Sequence, residues 1–539
     1  MASAREIERN LIQRVNVGDS LTRTAARYPD RLALVEGAGT AAERRLTYAE
    51  FNGLVNRFVH GLAGLGYARG DALALASGNS VEFLVTYYAC AKLGVVCVPV
   101  NLGWRGEEVS YVLGHSKSRG IVIEAQLWPA LEAAIANEPG VTDVIVAPGI
   151  GADDRSRSVP GETVAFAGLC RGPDAEPECY VEDRDPISYL YTSGTTSAPK
   201  GVVGNHTAIY LESLSVAVEA RFNETDRFAA MMPMFHTAQL NAHCTAAVMV
   251  GAAIYILRGF DAESLLSLIE TEKITQVFGL PMMYRAMLEH PSIGSRDLSS
   301  LRRALYAMAP MPDAQLRSCL DVFGCDFYLL FGQTEMSPVT TFFRPEHQLS
   351  HAGAVGTPVA NVQVAIMGEV GDLLAQGAEG EIVYRGPHAL TEYLDNEAAT
   401  DAVFEHGWFH SGDIGRFDAD GVLWFTDRRK DVIKTGGENV ASIEVEKALY
   451  AASPDIAEVV VVGLPHERWT EAITAIVVPR PGAAGLSEAG LLASVRSRLD
   501  GYKVPKAVIV RSELPRTSTG KIQKNVLREE YSRFYDGEV

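Results

Sequence analysis

Short apolar runs alternate with helical periodicity through the first part of the chain, and that alternation decides the fold class. The segments DALALASGN (71–79), GVVCVPV (94–100), GIVIE (120–124) and VTDVIVA (141–147) are apolar, several of them β-branched and bounded by Gly, Pro or Asn. Between the first two, Val81 to Leu93 carries apolar residues at three- and four-residue spacing. Strands alternating with helices imply a largely parallel, helix-covered sheet, an α/β architecture. The rhythm resumes from Pro186 to about Gly324.

Two changes of texture follow. From Ala360 to Arg385 the runs VQVAI, GDLLA and GEIVYRG are separated by Gly turns, which predicts a small antiparallel unit. After GVLWFTDRRKD, the strands VVVVG, TAIVV and AVIVR and a helix near Leu491–Leu499 fit a compact α+β module. Charge marks the same place. The chain has 48 basic and 67 acidic residues, net −19, yet Lys430–Val539 holds 15 of each. The whole negative excess therefore precedes Lys430. A junction is expected there, with a large domain at 1–429 and a small one at 430–539.

With 539 residues, 47% of them hydrophobic, the chain can bury a sizeable core without disulfide or metal staples. The negative balance argues against a nucleic-acid partner. Seven cysteines, an odd number with no CxxC pair, argue for a reducing compartment and against a zinc site. MASAREIERN is charged with no apolar run behind it, and Cys244–Leu257, 14 residues, is too short to span a bilayer. The expectation is a soluble cytoplasmic protein with no membrane span; a homodimer stays open.

Four short motifs carry candidate chemistry. Tyr191–Gly201, YTSGTTSAPKG, follows the strand-like PISYLY; its Gly frees backbone N–H groups, its hydroxyls add donors, and Lys200 adds a positive charge, so it can wrap phosphates. It is not a Walker A loop. Leu329–Glu335, LLFGQTE, puts a carboxylate at a strand end, where parallel sheets hold ligands; one carboxylate with substrate phosphates is the usual Mg²⁺ site. Ser411-Gly412-Asp413 offers a carboxylate for sugar hydroxyls, and Pro515–Lys521 is a polar loop with a lysine. Taken singly, the first is equally readable as a solvated turn, and for the other three a solvated loop or plain turn is the commoner reading.

In this order, YTSGTTSAPKG, MPMFHTAQ (232–239), FGQTE, SGD, DRRKDVIKTGGEN (427–439) and PRTSTGK resemble the adenylate-forming superfamily. That superfamily includes acyl-CoA synthetases, aryl-CoA ligases, luciferases and peptide-synthetase adenylation domains. The resemblance runs from about Thr47 to Lys524. It implies a large AMP-binding domain and a small mobile one, with ATP, Mg²⁺ and coenzyme A as cofactors or co-substrates. A carboxylate attacks the ATP α-phosphate, giving acyl-AMP, and a thiol then displaces AMP. Both steps bring anions together, so catalysis is positioning and electrostatic relief.

By resemblance, Thr192, Ser193, Gly194, Thr195 and Thr196 with Lys200 hold the β- and γ-phosphates. Phe331 stacks on adenine where the family usually has Tyr, and Ala309 lines the base. Thr334 contacts the α-phosphate; Glu335 and Thr196 anchor Mg²⁺. Asp413 and Arg428 take the ribose, Lys434 lies near the AMP, and Lys521 bridges carboxylate and α-phosphate. His236 borders the acyl site and helps position the carboxylate. Lys430 is the hinge, Gly436 and Gly437 let pantetheine pass, and Arg258 meets CoA phosphates; Trp469 is a candidate for the thiol channel.

The acid is bounded by absences. No carboxylate stands near His236 to pair with an amino acid's ammonium. Acetate enzymes carry Trp before QTE, where this chain has Gly332, so a larger acyl group is expected. Met308 and Leu330 add bulk to walls that the family often keeps bare, and Ser197 replaces a usual Gly. Polar Gln239, Asn241 and His243 are candidates to meet an oxygenated substrate. The expected activity is a CoA ligase for a medium-to-long aliphatic or an aryl acid. The alternatives are an acyl-AMP synthetase loading an acyl carrier protein and a non-catalytic ligand-binding relative.

Overall fold

The strand–helix–strand rhythm read from the sequence is present in the computed structural model, which describes residues 2–149, 163–192, 199–308, 311–480, 482–483, 487–517 and 521–536. Strand Ala72–Ala76 leads through helix Val81–Leu93 to strand Val96–Pro99, and the two strands pair in parallel with Ala72 opposite Val96. The Ser80 side chain accepts from the Phe83 N–H to start the helix. Gly94 ends it at φ 77°, a left-handed conformation that glycine reaches without a Cβ clash. Every residue of this helix is buried, which explains a sequence apolar on all sides.

Two compact units divide the chain: Met1–Val364 with Tyr384–Phe409, and Ala365–Val383 with His410–Val539. In the first, the described strands form a seven-stranded and a nine-stranded sheet. One edge of the seven-stranded sheet is an antiparallel hairpin of Pro186–Thr192 and Lys200–Asn205, with Thr192 opposite Lys200. In the other sheet, Arg227–Ala230, Gln276–Gly279, Arg303–Ala307 and Asp326–Gly332 run parallel, and Val339–Phe343 returns antiparallel. The carboxyl ends of two of these strands therefore deliver Met308 and the Gln333–Glu335 segment, the edge where open sheets place ligands. Cys244–Leu257 is buried core, as its length implies: the end of a helical run, Gly251, and strand Ala253–Ile256. No described helix is long and apolar enough to cross a membrane.

In the second unit, Leu423–Arg428 pairs antiparallel with the Asp413–Phe417 portion of strand Trp408–Phe417. VQVAI and GEIVYRG supply the expected strands Gln363–Met367 and Gly380–Arg385, but GDLLA does not. It makes an isolated bridge, Leu373 to Met367, after a turn closed by Gly368 N–H to the Asp372 carbonyl. The α+β module is as expected. Ile456–His466 and Thr470–Pro479 pair antiparallel, and Ala507–Val510 joins in parallel. Alternate residues feed two cores: Val459, Val461, Ile473 and Ala475 on one face, Val460, Val462, Ala472 and Ile476 on the other. The helix expected near Leu491 begins earlier, at Glu488, because the Ser487 side chain caps it through the Gly490 N–H.

Candidate active site

In the first unit, two expected residues, Lys200 and Glu335, converge with one that was not expected. Lys200 begins the second strand of the hairpin, opposite Thr192; Ser193, Gly194, Thr195 and Thr196 lie outside the described residues, as does Ala309. The Lys200 ammonium stands 4.8 Å from the centre of the Tyr393 ring. The Tyr393 hydroxyl donates to Glu335 Oε1 at 2.9 Å, and the Leu390 N–H donates to the Glu335 carbonyl at 2.6 Å. Tyr393 thus links the lysine of one motif to the carboxylate of another. In the sequence it stands in PHALTEYLDN, which carries no motif; the bridge between Tyr393 and Val202 that places it is visible only in three dimensions.

Phe331 and Gly332 end strand Asp326–Gly332, and Thr334 and Glu335 form the short turn after it. A Cβ at Gly332 would collide with the Pro338 carbonyl oxygen, so the backbone path excludes a side chain there. Leu330 is buried in the sheet beside Ala307 and Phe342. Met308 follows strand Arg303–Ala307 at φ 70° and is 43% exposed; a non-glycine residue in the left-handed region is strained.

His236 is half-buried and precedes a three-residue turn, Thr237–Gln239, that runs into a π-helical segment, Leu240–Thr245. Such segments recur at functional sites. Gln239 Oε1 accepts from the Met232 N–H at 3.1 Å, bracing the MPMFHTAQ loop. Asn241 donates to Thr237 Oγ1 at 2.9 Å and accepts from the Tyr87 hydroxyl at 3.2 Å. His243 stacks on Phe278 with centroids 4.3 Å apart, and burial lowers its pKa to about 4. Arg258, expected near CoA phosphates, is held by Glu124 in a two-pronged ion pair, with 2.8 Å from one guanidinium nitrogen to Glu124 Oε1. Glu124 is 1% exposed and also accepts from the Ser77 hydroxyl and the Gly78 N–H.

The second unit gathers the remaining charged candidates. Asp413 lies opposite Arg428 across antiparallel strands, and Arg428 Nε meets Asp413 Oδ1 at 3.0 Å. Lys521 follows in the same neighbourhood. As a residue it is exposed, yet its ammonium is pushed down to about 8, by desolvation first and then by the Arg428 and Lys430 cations. Lys430 is lowered too, by desolvation and by Arg428 and Arg528, with Asp431 pulling the other way. Lys434 sits on strand Ile433–Thr435, its N–H donating to Glu471 Oε2 at 2.6 Å. Gly436 and Gly437, at φ 61° and 89°, form the two-residue turn to strand Glu438–Val440, a geometry that favours glycine at both positions. Trp469 covers this turn: its carbonyl accepts from the Gly436 N–H at 2.8 Å, and a Cβ on Gly436 would come 3.1 Å from its ring.

Comparison with known proteins identifies the family. Residues 21–394 match the AMP-binding enzyme family, and residues 444–521 match the AMP-binding enzyme C-terminal domain. The chain belongs to the AMP-binding enzyme family. It is 36% identical to a long-chain-fatty-acid–CoA ligase of Mycobacterium tuberculosis, over 96% of this chain and 99% of that one. It is 35% identical to a feruloyl-CoA synthase of Amycolatopsis, over 94% and 97%. Among solved structures it resembles ATP-bound MatB from Rhodopseudomonas palustris, with TM-score 0.86 and 28% identity over 97% of this chain and 100% of that one. It also resembles a Mycobacterium tuberculosis fatty acyl CoA synthetase, with TM-score 0.76 and 34% identity over 96% and 99%. The Mycobacterium tuberculosis and Amycolatopsis relatives are named a CoA ligase and a CoA synthase, and the chain is an AMP-forming acid–CoA ligase.

Proposed function

We propose that the protein activates a carboxylic acid larger than acetate, either medium-to-long aliphatic or aryl, as acyl-AMP with release of pyrophosphate, then passes the acyl group to CoA. The observation that carries this reading is the crowding of Lys521 by Arg428 and Lys430, cations that lower its pKa. An anion relieves such crowding, and an adenylate brings one.

Lys521 is the group that lowers repulsion between the attacking carboxylate and the α-phosphate. Asp413 and Arg428 hold the ribose, with Lys434 nearby. Lys200 and the Thr192–Thr196 loop take the β- and γ-phosphates, Phe331 and Ala309 the base, and Thr334 the α-phosphate. The family resemblance implies Mg²⁺, and Glu335 fits it: one half-buried carboxylate, oriented by Tyr393, suits a cation that takes one or two carboxylates plus phosphate oxygens. Glu335 and Thr196 would hold the ion, which when bound neutralises phosphate charge. His236, Gln239, Met308, Leu330 and Gly332 border the acyl group. Lys430 is the junction about which residues 430–539 rotate, exchanging Lys521 for the Gly436–Gly437 turn at the reacting carbonyl.

The reading is tested by ATP–pyrophosphate exchange with acetate, alanine, dodecanoate, cinnamate and indoleacetate, followed by CoA. Exchange with the last three acids, and rapid AMP release on adding CoA, are expected. Exchange supported best by acetate or alanine refutes the acid class. Acyl transfer to a phosphopantetheinylated carrier protein but not to CoA would replace the acceptor.

A further inference from the structure

Helix Ser442–Ala452 begins without a cap of its own. Its N-cap position is Ala441, which has no side-chain oxygen, so its first N–H groups must be answered from elsewhere. Asp427 supplies the acceptor. Its Oδ2 takes the Ser442 N–H and the Ser442 hydroxyl, both at 2.6 Å. Asp427 is 2% exposed and Ser442 is fully buried, so both bonds are sheltered, and a carboxylate at a helix N-terminus is further favoured by the helix dipole. Asp427 Oδ1 accepts from the Arg428 N–H at 2.8 Å, which fixes the carboxylate to its own strand.

The two partners stand on opposite sides of Lys430. Asp427 belongs to strand Leu423–Arg428, ahead of the junction, whereas Ser442 opens the first helix behind it. Turning residues 430–539 about Lys430 carries Ser442 away and leaves Asp427 in place, so the two bonds cannot outlast the turn. The serine also meets the segment that carries Lys521. Lys524, three residues on, donates to Ser442 Oγ at 2.5 Å and pairs with Glu446 Oε1 at 3.0 Å. With these contacts closed, the Lys521 ammonium lies within electrostatic reach of Arg428 and Asp413, the pair assigned to the ribose. The closed contact therefore belongs to the arrangement for acyl-AMP formation.

We propose that Asp427 and Ser442 form a latch that holds the small domain in the orientation for acyl-AMP formation and has to open before the thiol of CoA can attack. This rests on the reading of Lys430 as the pivot. Both are positioning residues, acting through the domain rather than on the reacting atoms. Opening breaks two hydrogen bonds to a charged acceptor, and hydrogen bonds of that kind are stronger than neutral ones. The latch therefore slows the second half-reaction. Weakening it leaves the first unaffected for as long as the closed orientation still predominates.

Ser442→Pro is the variant that tests it. Proline lacks both donors, yet it is favoured at the first helical position, and Ala441 already has the extended backbone, φ −69° and ψ 121°, that a residue before proline needs. The assays are single turnovers with the acid that wild type activates fastest. S442P should form acyl-AMP at the wild-type rate and convert supplied acyl-AMP and CoA about tenfold faster. Loss of a merely structural contact would speed neither step. Ser442→Thr, which keeps both donors, should match wild type. D427A should speed the same step, and D427A/S442P should be no faster than the faster single variant, because both open one latch. D427A decides alone should S442P not fold. A transfer step no faster than wild type in either single variant, or gains that multiply in the double variant, overturns the latch. Lys521→Ala that loses both half-reactions equally overturns the pivot, and the latch with it. Wild type that forms no acyl-AMP from any acid overturns the proposed function itself.

Discussion

Adenylation should lose rate above pH 8, and Lys521 is the reason. Desolvation, Arg428 and Lys430 bring its ammonium from the ordinary 10.5 to about 8, with Asp413 and Asp431 opposing. A lysine that relieves repulsion between anions acts only while protonated. With that value, roughly nine-tenths of the free enzyme carries the charge at about pH 7 and roughly a tenth at about pH 9. The kcat/KM for ATP reports the free enzyme, so it should fall about tenfold per pH unit above 8. Lys521→Arg stays charged throughout and should lose the falling limb, whatever its absolute rate. Lys430→Met removes one of the depressing cations, so the limb should move to higher pH. The assay is ATP–pyrophosphate exchange across the range. A limb that persists in Lys521→Arg, or that does not move in Lys430→Met, refutes the electrostatic reasoning. The same group acts on stability: its folded pKa lies below its unfolded one, so the unfolded chain holds the proton more tightly, and stability should rise with pH between about 8 and 10.5.

Tyr393→Phe keeps the ring beneath Lys200 but removes the donor to Glu335. A hydrogen bond to a charged group is worth about 1.5–3 kcal/mol, so Mg²⁺ activation should weaken by about tenfold or more, and Glu335→Ala should weaken it further; an unaltered magnesium titration in both would contradict the assignment. Met308→Gly should relieve left-handed strain, raising stability by up to about 1 kcal/mol in urea unfolding, and should shift preference toward bulkier acids at constant KM for ATP. Arg258→Gln leaves Glu124 buried without its cation and should cost about 3–5 kcal/mol of stability with little change in KM for CoA. A raised KM for CoA at unchanged stability would return Arg258 to the CoA phosphates.

The α/β layers were legible because strands such as Ala72–Ala76 are buried on both faces and so read as continuous apolar runs. The small module was legible because the alternation in Ile456–His466 and Thr470–Pro479 feeds two cores. GDLLA misled because its apolar pair has strand composition, whereas the turn at Gly368 leaves Leu373 52% exposed with a single bridge. Tyr393 and the Glu124–Arg258 pair were not legible, since each depends on a partner more than fifty positions away.

The central claim is that one small domain serves two half-reactions in two orientations. Single-turnover measurement of each half-reaction in Lys521→Ala and in Gly437→Leu tests it most directly. Lys521→Ala should slow acyl-AMP formation by about 10²–10³, the usual cost of losing one such electrostatic contact, yet convert supplied acyl-AMP and CoA at nearly the normal rate. Gly437→Leu, with bulk and strain at φ 89°, should do the reverse, sparing adenylation and blocking the thiol. Folded variants that lose both half-reactions in equal measure would contradict the account.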